Sequence, residues 1–167
     1  SEQVDPSWDM LYRTHCGDMQ FLHAMASKSS ESAINTKELM LMWAEFSYRI
    51  AAGDIDKDLR FRSVGKKLGK RSSTLFNYVM TLDGRVRMEW QPETLFTLDC
   101  KRALSVDGFF NTGRPTKLKC KDTNNQYSAE AIQNIALGSL LHLIQDSFSS
   151  SHVLREGSAV GVSKISG

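Results

Sequence analysis

The chain has 167 residues, 41% of them hydrophobic, enough to close the core of one ordinary domain and to exclude a disordered or fibrous polypeptide. Lys and Arg number 21 against 19 Asp and Glu, so the net charge is only +2 and composition imposes no general attraction to nucleic acid or an acidic membrane. Three cysteines, Cys16, Cys100 and Cys120, are too few for a disulfide scaffold and leave Cys100 with Cys120 as a pair open to closure.

No apolar run approaches the length that spans a bilayer, and the opening SEQVDPSWD lacks the basic start and apolar segment of a signal peptide, so a soluble chain is expected. From 8 to about 26, Met10, Leu11, Met19, Leu22, Met25 and Ala26 recur at helical spacing without an internal proline, which predicts one helix. A second helix follows, with Thr36 as its cap, an apolar stripe of Leu39, Met40, Met42, Trp43, Phe46 and Ile50, and Gly53 as its stop. Residues 55–71 hold seven Lys or Arg against two Asp, and two glycines; this reads as a solvated loop with at most a turn of helix. Ser72 or Ser73 caps a short helix through Leu75, Phe76, Tyr78, Val79 and Met80. Around Pro92 the pattern is irregular, and the NTGRP and KDTNNQ turn signals between 109 and 126 leave room for a small hairpin. Ser128 then caps a helix over AEAIQNIALGSLLHLIQDSF, whose apolar residues run all round the cylinder and predict burial on every side. The closing SAVGVSKISG carries neither a cap nor a pattern.

Between Glu130 and Arg155 the only charged side chain is Asp146, and a carboxylate on so apolar a helix needs a cation. His142 lies four residues earlier, on the same face one turn away, where two ligands of one metal would project. Gly138 and Ser139, a further turn back, leave room for a neighbouring helix or for a metal with its other ligands. His152 follows the triplet 149–151, and a break there turns it back toward the other two. The remaining histidines, His15 and His23, flank Asp18 on the first predicted helix. Taken alone, His23 reads as a hydrogen-bonded core residue. Imidazole and carboxylate without clustered thiolate point to zinc before manganese or iron. Cys16 beside His15 makes no nucleophile pair, because adjacent helical positions diverge.

The segment HLIQDSFSSSH resembles the signature helix of the zinc-dependent phospholipase C and S1/P1 nuclease superfamily, H-x-x-x-D-x-x-x-P-x-H, with Ser150 where that family has proline. The resemblance implies an all-α helical bundle of the zinc-dependent phospholipase C type holding up to three zinc ions, to which the turn signals of the middle stretch add a small irregular or hairpin insertion. It implies metal ligands at His142, Asp146 and His152, a further ligand at His15, and His23 in place of a histidine that the family carries between its second and signature helices. The run WAEFSYRIAAGD resembles the family's second helix, which makes Asp54 both a metal ligand and the proposed general base. The family places a further His and acid beyond the signature, whereas this chain stops fifteen residues after His152. The expectation is therefore a single phosphodiesterase domain over 1–167, truncated on its C-terminal side, with a companion chain or a removed segment completing the metal site.

The function implied by the resemblance is hydrolysis of a phosphodiester by metal-activated water, with a phospholipid or membrane surface as substrate and a secreted location. Phe61 is the single aromatic in the basic stretch, too few for stacking bases, and this favours lipid over nucleic acid. Two other readings stand beside it: an S1/P1-like single-strand nuclease, and a non-catalytic, metal-stabilised helical interaction module such as a bacterial effector fragment.

Overall fold

A computed structural model describes residues 10–81, 91–96, 100–103, 117–120, 127–149, 154–156 and 164–166. The described structure is mostly helical: α1 (Met10–His15), a 3-10 turn (Gln20–His23), α2 (Ala33–Ala51), α3 (Phe61–Lys67), α4 (Lys70–Thr81), α5 (Pro92–Phe96) and α6 (Ala129–Phe148). Two short antiparallel pairs complete it, β1 (Cys100–Ala103) with β2 (Lys117–Cys120), and β3 (Leu154–Glu156) with β4 (Lys164–Ser166). The first of these pairs is the small hairpin that the turn signals left room for.

The two long helices, α2 and α6, pack on each other and make the frame of the fold. Both begin on a serine cap: the Ser32 hydroxyl accepts from the Asn35 N–H and the Ser128 hydroxyl from the Ala131 N–H, each satisfying a backbone donor that the first turn leaves open. Ser32, not Thr36, is the cap of α2; Thr36 is buried one turn in and donates its hydroxyl proton to Glu31 at 2.7 Å. The stop at Gly53 holds. Its φ of 78° lies in the left-handed region, and the N–H groups of Gly53 and Asp54 return to the carbonyls of Ile50 and Arg49, which closes the helix end.

The predicted first helix is not continuous. It ends at His15, where the chain folds back so tightly that a Cβ on Gly17 would come within 2.8 Å of the Arg13 Cα. Arg13 stabilises the reversal by gripping Asp18 with two hydrogen bonds of 2.7 Å, and the Arg13 carbonyl accepts from the Met19 N–H. The basic stretch is not a loop either. Phe61, Val64, Gly65 and Leu68 are buried at helical spacing beneath its cations, so α3 forms because its apolar stripe packs against the core, and α4 starts at Lys70, ahead of the serines expected to cap it. Glu45 of α2 ties down this junction. Burial alone would raise its pKa, but hydrogen bonds from the Ser72 hydroxyl, the Gly69 N–H and Arg49 outweigh it and hold the carboxylate below its usual range.

The core is aromatic at its centre. Phe46 stacks on Phe96 at 5.5 Å and tilts against Trp43 and Phe76, and Phe61 stacks on Phe76 at 5.7 Å. Lys57 and Glu93, paired at 2.7 Å, hold α5 so that it delivers Leu95 and Phe96 to this cluster. In contrast to the expectation of burial on all sides, α6 turns Ile132, Ala136 and Leu143 inward and leaves Leu137, Leu141, Ile144 and Phe148 exposed, because α2 covers only one of its faces. No helix among the described residues is long and apolar enough to cross a membrane.

Candidate metal centre

Three donor atoms from two distant parts of the chain meet at one point. The His23 Nδ1 lies 3.1 Å from the Asp146 Oδ2 and 3.0 Å from the His142 Nε2, and the latter is 3.1 Å from the same carboxylate oxygen. His142 and Asp146 come together because they are one turn apart on α6. His23 reaches them from the end of the 3-10 turn, where Ala24, with φ of 57°, reverses the chain.

With Asp146 ionised, these contacts cannot all be well-formed hydrogen bonds. A ring nitrogen carries either one N–H or one lone pair, yet each of these nitrogens has two partners. If both imidazoles donate to Asp146, two N–H groups face each other at 3.0 Å; if one imidazole accepts from the other, its lone pair faces the carboxylate. A divalent cation removes the conflict, since it takes lone pairs from all three atoms at once. Tetrahedral zinc with Zn–N near 2.0–2.1 Å separates its donors by about 3.3–3.4 Å, so the triangle closes on the ion after opening by a few tenths of an ångström. The donor set fits a metal.

The surroundings favour the ligand form of the ring. Burial, with the neighbouring His15 and His142, outweighs the hydrogen bond to Asp146 and lowers the His23 pKa below its ordinary value, keeping the imidazole neutral at physiological pH. Asp146 is buried, whereas the His142 side chain is 52% exposed, so one side of the triangle is open. That side gives onto a pocket of about 280 Å³ lined by His15, His23 and His142 together with Leu22, Trp43, Leu95, Phe96 and Ile135. Gly138 also lines it, and a Cβ there would meet nothing within 4 Å, so the small residue opens space in front of the histidines instead of admitting a neighbouring helix. The Trp43 Nε1–H donates to the Ser139 hydroxyl at 3.0 Å and fixes the wall between α2 and α6.

Of the residues singled out in the sequence, His23, His142 and Asp146 are brought together, and His15 stands beside them with its ring 4.6 Å from that of His23 and its Nδ1 2.9 Å from the Thr14 hydroxyl. Asp18 is engaged by Arg13 and Asp54 is not in the cluster. Asp54 sits beyond the end of α2, half-exposed and 3.8 Å from Arg49; eleven residues separate it from Trp43 at the pocket, about 16 Å along a helix. None of the basic stretch from 55 to 71 lines the pocket. His152 lies outside the described residues. The grouping that the spacing favoured, His142 and Asp146 with His152, thus has His23 as its third described member. The one signal for it in the chain was the pairing of His15 and His23 in one short segment.

No family model matches the chain, and the curated proteins and solved structures compared with it give no match.

Proposed function

We propose that the protein is a zinc-dependent phosphodiester hydrolase of the phospholipase C type, with His23, His142 and Asp146 holding a metal ion beside the apolar pocket that the two histidines line. The observation that carries this reading is the triangle of three donor atoms, mismatched as hydrogen bonds when Asp146 is ionised, two of whose residues, His23 and His142, line that pocket. A zinc ion held by these three residues would supply a water of pKa about 7 and positive charge for the phosphoryl oxygens. The chain's own residues do the rest. Asp146 neutralises part of the ion's charge and orients both imidazoles, and His15, on the same wall, is placed to accept a proton or to add a donor. Leu22, Leu95, Phe96 and Ile135 exclude water and accommodate an apolar part of the substrate, which supports a lipid ester. Trp43 and Phe96 are 1% and 8% exposed, too covered to serve as an open platform for stacked bases.

A purely structural metal is the second reading, favoured by the way the cluster joins the turn at His23 to α6 more than a hundred residues later. Structural zinc sites are closed by four protein ligands, however, and catalytic ones are held by three; the described residues supply three donors, with His142 exposed. The deciding experiment incubates zinc-loaded protein with phosphatidylcholine vesicles and, in parallel, with single-stranded DNA. Release of phosphorylated headgroup, lost in His142→Ala, is the expected result. Cleavage of DNA alone moves the assignment to the S1/P1 branch, and bound zinc with neither product leaves the structural role.

A further inference from the structure

The hairpin formed by β1 and β2 is poorly suited to holding itself together. Its register pairs Cys100 with Cys120, Lys101 with Lys119, Arg102 with Leu118 and Ala103 with Lys117. Four of the eight residues are cations, none is an acid, and two lysines stand directly opposite each other, an arrangement that disfavours pairing. A lone two-stranded hairpin is marginal in water even without such repulsion. The two strands are joined by the segment 104–116, and the pair farthest from that connection, at the open end where fraying begins, is Cys100 with Cys120.

We propose that Cys100 and Cys120 form a disulfide that locks the open end of this cationic hairpin. Directly opposed residues of an antiparallel pair have Cα atoms about 4.5–5.5 Å apart, inside the roughly 4.4–6.8 Å that a disulfide spans, so the register puts the two cysteines at a bridgeable backbone spacing. The third cysteine, Cys16, follows His15 at the end of α1 and is exposed, which leaves it as the single thiol of the oxidised chain. The bond forms by exchange with a small disulfide such as oxidised glutathione. One cysteine thiolate attacks it and releases one glutathione; the second attacks the mixed disulfide and releases another. Two protein thiols are thereby oxidised, two glutathiones are produced, and the two protons pass to the products.

The test uses the full chain, reduced and then equilibrated with a series of oxidised-to-reduced glutathione ratios. Intact mass is expected to fall by about 2 Da on linkage, apart from any adduct on Cys16, and non-reduced peptide maps should join the peptides that carry Cys100 and Cys120. Cys16→Ser should leave this unchanged, and Cys100→Ser should leave Cys120 open to alkylation. The role of the register is read by repeating the titration in denaturant, where the linkage constant should drop by at least about tenfold. Separate glutathione adducts on Cys100 and Cys120, a link to Cys16, or an equal constant in denaturant would each overturn the proposal. Because the readout is linkage and not catalysis, it stands or falls independently of the metal centre.

Discussion

Two carboxylates, Asp18 in the fold-back after α1 and Asp146 on α6, are met in opposite ways. Asp18 meets Arg13 in a two-pronged contact of 2.7 Å on each side, and Arg13 gives a further hydrogen bond to the Val79 carbonyl at 3.3 Å, so donors and acceptors match. Asp146 meets two imidazoles that also crowd each other, so that three contacts share too few correctly placed protons. The matched pair explains the local fold: it holds the reversal after α1. The mismatched triangle explains nothing local, stands beside a pocket, and would be relieved by a cation.

The sharpest way to break this comparison is at Asp146. Asp146→Asn removes the charge and keeps the shape, and zinc affinity measured by competition with a chromophoric chelator should fall by more than about 100-fold, beyond what loss of a supporting residue causes. Unchanged affinity would mean that the triangle is a hydrogen-bonded cluster after all. A smaller effect, of a different kind, is expected at Arg13. Arg13→Met leaves Asp18 without its partner and should cost about 2 kcal/mol in denaturant unfolding, reduced from the value for a fully buried pair because Asp18 is 35% exposed, while zinc stoichiometry per folded molecule stays the same. If zinc binding is lost in step with stability, the two clusters are not separate.

The smallest effect is a pH dependence in the metal-free protein. The folded state holds the His23 pKa below the ordinary 6.5, so as pH falls below 6.5 the unfolded chain takes up the proton first. The contribution of this group to stability is present above that pH and is lost as pH drops toward the folded value. Unfolding curves in chelator at pH 7.5 and 5.5 should therefore show a larger loss for wild type than for His23→Asn. An equal loss would place the imidazole in a watery setting and weaken the case for a neutral ligand.

Much of the site was legible in the chain because it is local. The i,i+4 spacing of His142 and Asp146, the absence of any other charge along α6 after Glu130, and the serine cap at Ser128 all depend on residues within a few turns of one another, where helix geometry dictates the outcome. The same holds for the left-handed glycine that closes α2. Helix α3 escaped for a related reason: cations crowd its segment, and the stripe of Phe61, Val64 and Leu68 gains meaning only when a core lies beneath it.

What tertiary structure alone decided is which donors meet. Asp54 follows the second helix as a metal-binding aspartate would, yet it lies beyond the end of α2, away from the histidines, and no spacing rule reveals which end of a helix faces a site. His23 reaches Asp146 across 123 residues, through a fold-back that Arg13 and Asp18 stabilise and a left-handed residue at Ala24. The side chains along each helix follow from periodicity in the chain. The triangle follows from packing, because contacts so distant in sequence are set by how whole elements bury their apolar faces, and sequence order places no geometric constraint on that outcome.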